Sequence, residues 1–186
     1  GAGSMCEQRI ATTQFGCGSG MANDGSGFFF KARFIPSNSA LVTGERFFIG
    51  LTGSISAATN IEPSILTNVV GIAKLSTDTT QFYLVYGGYS AQTPIALGSA
   101  LGSPISLSTE LYELSINAPQ IPANTYEITV KNITTGVIVT QTITGASAVV
   151  PQSNTTLAYK CWKTNNTTAL QVAFDIVSIY FEVNNN

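Results

Sequence analysis

Apolar residues recur at every second position in one segment after another of this chain. That period builds strands with one face in a core and leaves no amphipathic helix to be read. Over 28–35, Phe28, Phe30, Ala32 and Phe34 share one face while Lys31 and Arg33 share the other. Phe47, Ile49 and Leu51 repeat the pattern in 46–52, Phe82, Leu84 and Tyr86 in 81–86, and Tyr112, Leu114 and Ile116 in 111–118. Tyr126, Ile128 and Val130 line a strand over 126–133, which turns at Thr134, Thr135 and Gly136 and returns over 137–144 as a hairpin. The run 66–75 carries Gly71 at its middle, where glycine marks a bulge or a close backbone approach. A polar, Ser- and Ala-rich loop is expected over 53–63, and 89–108, with Pro94 and Pro104, reads as loop and short edge pieces. Strand 155–163 places Leu157, Tyr159 and Cys161 on one face and Trp162 on the other. About nine or ten short strands at roughly ten-residue spacing predict an all-β antiparallel β-sandwich, jelly-roll-like.

The closing segment, 169–183, is the longest apolar run. Leu170, Val172, Phe174 and Ile176 share one face at first; near Ser178 the odd positions Val177, Ile179, Phe181 and Val183 become apolar as well. A bulge that slips the register explains this. So does burial of both faces, one of them under another subunit. The second is preferred because Ile176 and Tyr180 continue the even face. On that reading Val177, Ile179, Phe181 and Val183 form a subunit interface.

Charge narrows the possible partners. Only 10% of the 186 residues are charged, the net charge is −2, and Ser, Thr and Asn carry the polarity. No basic patch exists to displace counterions from nucleic acid, and no apolar stretch is long enough for a membrane span. Low charge also eases subunit contact, since few ions need desolvation. Residues 1–27 read as a tag remnant (GAGSM) and an irregular, Gly-rich leading segment, and 28–186 as one domain. Cys6 and Cys17 could pair; Cys161 reads as a small buried thiol.

Catalysis finds little support. With no His in the chain, a serine or cysteine nucleophile lacks its usual base, and metal ligation by three cysteines lacks partners at known spacings. Glu110, Glu113, Glu127 and Lys131 read as solvated charges, and Asp175 as a turn cap, a partner for Arg across a subunit contact, or an exposed carboxylate. No catalytic residue, metal or cofactor is assigned. Aromatic rings can stack on a sugar, so Trp162, Tyr86 and Tyr89 are the candidate ligand-binding residues; the competing reading packs Trp162 on a neighbouring subunit and the tyrosines into the core. Sequons at Asn132, Asn154, Asn165 and Asn166 are expected by chance in so Asn- and Thr-rich a chain.

Four stretches, ERFFIGLTGS at 45–54, LTNVVGIAKLSTDTTQFYLVYGG at 66–88, LYELSINAP at 111–119 and FDIVSIYFEV at 174–183, together resemble the C-terminal receptor-binding heads of tailed-bacteriophage tail fibres and tail spikes. The resemblance lies in pattern and strand order and runs from Phe28 to the end. It implies a homotrimeric β-sandwich head at the extracellular tip of a virion fibre, preceded by a shaft whose stump is the leading segment. Such a head attaches without catalysis to a host cell-surface glycan or protein. A purely structural tail-tip or trimerisation domain is the alternative, and a capsule depolymerase fragment is a third reading.

Overall fold

The alternating segments pair as antiparallel ladders in two sheets. The computed structural model describes residues 5–12, 15–16, 27–37, 44–102, 110–120, 122, 124–152, 155–166 and 173–183. Among these the strands are β1 Met5–Arg9, β2 Phe15–Gly16, β3 Phe28–Ile35, β4 Arg46–Thr52, β5 Val69–Lys74, β6 Tyr83–Gly87, β7 Ile95–Ala96, β8 Tyr112–Ala118, β9 Thr125–Asn132, β10 Ile138–Thr144, β11 Thr156–Thr164 and β12 Asp175–Val183. One sheet runs β1-β11-β4-β5-β6-β7, with β2 paired to the start of β11; the other runs β10-β9-β8-β3-β12. Two short 3₁₀ turns, Pro63–Ile65 and Ser99–Leu101, are the helical pieces among the described residues.

The faces follow the alternation. Phe28, Phe30, Ala32 and Phe34 of β3 and Leu114 and Ile116 of β8 meet Ile49, Leu51, Ile72 and Tyr159 of the opposite sheet in one buried core. Phe30 and Tyr159 bridge the sheets with ring centroids 6.0 Å apart, and Phe82 meets Tyr112 edge-on at 4.9 Å. Such contacts add to the area they bury. The expected hairpin forms, with β9 and β10 in register from Lys131–Ile138 to Thr125–Thr144. Asn132 and Asn165 of the chance sequons are fully buried.

Three features differ from the sequence reading. First, the leading segment contributes β1 and β2 to the larger sheet, so the sandwich begins before Phe28. β1 is exposed along nearly its whole length and gave no apolar signal to read; cross-strand pairing with β11 supplies the order. Second, β12 carries the bulge that the sequence reading set aside. Ile176 pairs with Phe34 and Ser178 with Arg33, which leaves Val177 as the extra residue. The slip turns Ile179 and Phe181 into the same core that Ile176 already faces. The change of apolar face is thus explained within one chain, and no second covered face is required. Third, the central strands of the larger sheet are covered on both sides: every residue of β5 and nearly all of β4 and β11 are buried.

Gly71 shows why glycine is needed in mid-strand. It pairs with Gly50 of β4 with no shift in register, so the close approach is the correct alternative and the bulge is not. A Cβ on Gly71 would lie 2.4 Å from the Ile49 carbonyl oxygen and 2.9 Å from Cε2 of Phe48. The two glycines seat the Phe48 ring on the outer face of the sheet. Gly71→Val is expected to cost at least about 1–3 kcal/mol through overpacking, read as a lower urea midpoint with an unchanged slope.

Candidate functional site

The second covered face of the larger sheet is where a site forms. On β11, Lys160 and Trp162 alternate outward while Tyr159 and Cys161 go into the core. Trp162 stands directly across from Phe48, and Lys160 from Gly50. Phe48, Val69, Ala73, Val85 and Trp162 make a second apolar cluster, distinct from the main core. Residues 53–68 fold over it as an Ω-type loop whose ends meet through Gly53 N–H donating to the Asn68 carbonyl at 2.8 Å. Ala58, Ile61 and Leu66 of this loop pack down on the cluster.

Polar side chains from β1 and β11 hold the loop in place. Lys160 Nζ donates to the Ser56 carbonyl at 2.6 Å. Arg9 donates to the Ile55 carbonyl. Ala58 N–H donates to Glu7 Oε1 at 2.9 Å, and the same carboxylate pairs with Arg9 at 3.3 Å. Farther along, Glu62 accepts from Ser76 N–H at 3.0 Å and pairs with Arg46 at 3.6 Å. The contacts from Lys160, Arg9 and Glu7 engage loop backbone groups, and the loop residues Ser54, Ser56, Thr59 and Thr67 lie at an exposed rim.

Between loop and sheet lies a cavity of about 310 Å³. Phe48, Val69 and Trp162 form its floor, the four hydroxyl side chains and Thr52 line its wall, and Lys160 is its one charged residue. Burial pushes the Lys160 ammonium below its ordinary pKa; Glu7 opposes that shift and Arg9 adds to it. The lining offers apolar contact, hydroxyl hydrogen bonds and one cation. It contains no carboxylate pair for acid–base chemistry, and among the described residues no group of three His, Cys, Asp or Glu is placed to hold a metal.

The three aromatic candidates do not form one site. Trp162 is on the cavity floor and only 2% exposed, so it offers the cavity no open ring face. Its cover is the chain's own 53–68 loop, where the competing sequence reading had placed a neighbouring subunit. Tyr86 is half-buried against the main core. Tyr89, 68% exposed, caps the turn after β6. That turn is strapped to 145–152: Gly88 and Tyr89 N–H groups donate to the carbonyls of Ala148 and Ser147 at 3.1 and 2.9 Å. A Cβ on Gly88 would lie 1.9 Å from the Ser147 carbonyl oxygen.

The residues read as a subunit interface also divide. Ile179 and Phe181 pack inward, Phe181 with its ring 4.8 Å from that of Phe30. Val177 and Val183 are exposed. Asp175 accepts a hydrogen bond from the Ser37 hydroxyl at the surface. Cys6 and Cys161 are free thiols that line, with Gln8, Phe174 and Ile176, a second cavity of about 370 Å³ at the β1–β12 edge of the sandwich. Cys17 lies outside the described residues. Sequence reasoning missed Lys160, Phe48 and the loop hydroxyls as a group. The usable signals were the outward parity that Lys160 shares with Trp162 and the hydroxyl-rich composition of 53–63.

Two facing antiparallel sheets with this order define an all-β antiparallel sandwich, jelly-roll-like in class. Among solved structures the chain is similar to peanut lectin bound to a 9mer peptide, with a TM-score of 0.61, 11% identity and coverage of 100% of this chain and 84% of the lectin. It is similar to the CBM2 module of the evolved Dit protein of Lactobacillus casei BL23 phage J-1, with a TM-score of 0.53, 16% identity and coverage of 95% and 67%. It is also similar to the family 7 alginate lyase A1-II′, with a TM-score of 0.56, 9% identity and coverage of 99% and 74%. At these identities the likeness is one of fold. No protein-family model matches the sequence, and no curated protein matches it either.

Proposed function

We propose that this chain is a non-enzymatic glycan-binding attachment module carried at the extracellular tip of a phage tail fibre, with its ligand site beneath residues 53–68. The observation that carries the reading is the cavity: exposed Ala57 and Ile65 at its mouth for sugar C–H groups, a rim of hydroxyls for sugar hydroxyls, and no carboxylate in its lining. The lectin fold supports it, and so does the likeness to a module of a phage protein. Attachment gains from repetition, since three weak sites on one homotrimer bind a surface far better than one. The free edge of β12, with Val177, Tyr180 and Val183 exposed, is the candidate seam between copies.

The chain holds a single tryptophan, and that residue forms part of the cavity floor. Titration with host-surface glycans is therefore expected to change tryptophan emission in a saturable way. A flat emission signal together with a silent glycan array overturns the glycan-binding reading. Silence of that kind, with light scattering still returning a trimer, selects the structural alternative, which the exposed β12 edge favours. Release of reducing ends from host capsule selects the depolymerase.

A further inference from the structure

We propose that the cavity beneath residues 53–68 selects acidic sugars, monosaccharide units that carry a carboxylate, and that Lys160 is the residue that reads the carboxylate. The inference rests on the glycan-binding reading of the same cavity and names the class of glycan it takes.

Lys160 is only 7% exposed and is the charged residue of the lining. Among the described residues it has no ion-pair partner. The nearby carboxylate, Glu7, is already engaged by Arg9 at 3.3 Å and by Ala58 N–H at 2.9 Å. The cation therefore has only the shared, more distant charge of Glu7 and no direct ion pair in a largely dehydrated place, which is costly for an ammonium. An ammonium has three donors. One is spent on the Ser56 carbonyl at 2.6 Å, which fixes the group in position and leaves donors for a ligand.

A carboxylate arriving in the cavity replaces the lost hydration with a charge-assisted hydrogen bond. The rest of the wall suits a hydroxylated ring. Thr52, Ser54, Ser56, Thr59 and Thr67 supply groups that both donate and accept, and Ala57 and Ile65 supply accessible apolar contact. The volume, about 310 Å³, stands at the low end for small-molecule sites, roughly 300–1,000 Å³. It fits one sugar ring, so the unit recognised is a single acidic residue, terminal or branching, and not an extended run.

The test is a tryptophan-emission titration of the full chain with D-glucuronate, D-glucose and acetate at matched ionic strength. Glucuronate is expected to bind about tenfold or more tighter than glucose, the margin of a charge-assisted hydrogen bond. Lys160→Gln, which keeps a donor for the Ser56 carbonyl, is expected to abolish the preference, so that glucuronate binds the variant no tighter than glucose binds the same variant. Lys160→Arg keeps the charge and is expected to keep the preference; it serves equally if the glutamine variant does not fold. Equal binding of glucuronate and glucose by the wild type overturns the selectivity and leaves the glycan-binding reading standing. Acetate binding as tightly as glucuronate overturns it in favour of a plain anion pocket. Glycan-array binding that is lost in Tyr89→Ala, with no response of Trp162 emission, removes the cavity from recognition altogether.

Discussion

Glu45→Ala is expected to lower the unfolding free energy by about 3–5 kcal/mol, the cost of stranding a buried charge. Glu45 and Lys163 are 1% and 0% exposed, and Oε1 and Nζ are 3.3 Å apart. Lys163 faces the interior of the sandwich from β11. Its ammonium also donates to the carbonyls of Ser37, after β3, and Ala173, before β12, at 3.3 and 3.2 Å. The pair thereby ties the larger sheet to the smaller one at one end. Burial pulls Lys163 below its ordinary pKa, and Glu45 is the leading influence that opposes the shift. Without that carboxylate the ammonium loses the counterion at 3.3 Å while it stays buried.

A second buried lysine shares the arrangement. Lys74 Nζ donates to the backbone carbonyl of Glu45 and to that of Leu75. The alanine variant keeps the Glu45 carbonyl for Lys74 but removes a carboxylate that also favours the charged form of Lys74, so the larger share of the expected loss belongs to Lys163, which the carboxylate pairs directly. Urea unfolding of Glu45→Ala, Lys163→Met and the double variant separates the effects. The double variant is expected to recover most of the loss, because an apolar residue in place of a buried pair is often neutral. A loss below about 1 kcal/mol for Glu45→Ala, as for a solvent-screened pair, would show that water reaches the site.

Trp162→Ala is the second large effect, with about 3–5 kcal/mol expected for an aromatic-to-alanine change in a packed cluster. Phe48, Val69, Ala73 and Val85 pack with it, and Ala58, Ile61 and Leu66 of the covering loop press on the same cluster. The variant is expected to loosen residues 53–68 as well, seen as faster amide exchange at Gly53, whose N–H closes the loop. Tyr89→Ala, by contrast, is expected to change stability by less than about 0.5 kcal/mol, since its ring stands in solvent. Comparable losses in the two variants, measured by urea unfolding, would mean that the loop does not cover Trp162 in solution.

Nothing in the two sequence environments distinguished these aromatic residues. Trp162 and Tyr89 are both candidate ligand-binding aromatics in the sequence, and the outward parity of Trp162 on its strand says nothing of what covers it. The difference arises from residues distant in sequence, because the loop that covers Trp162 is separated from it by roughly a hundred positions. The same holds for Lys160. Its outward parity was legible, but the Ser56 carbonyl it holds and the lack of a direct ion pair among the described residues are facts of tertiary contact.

The alternation of apolar residues determined the strands, their inner faces, the β9–β10 hairpin and the sandwich class, because a two-residue period is a property of the backbone itself. Burial of Cys161 and the outward direction of Trp162 followed from that parity alone. Only the tertiary structure decided the rest. The bulge at Val177 is set by pairing with β3, and the strands of the leading segment by pairing with β11. The cavity is made when a loop with no periodic signal closes over two glycines and an aromatic pair. A one-residue slip or a polar loop leaves almost no trace in local pattern, since its energy comes from partners that only folding brings near.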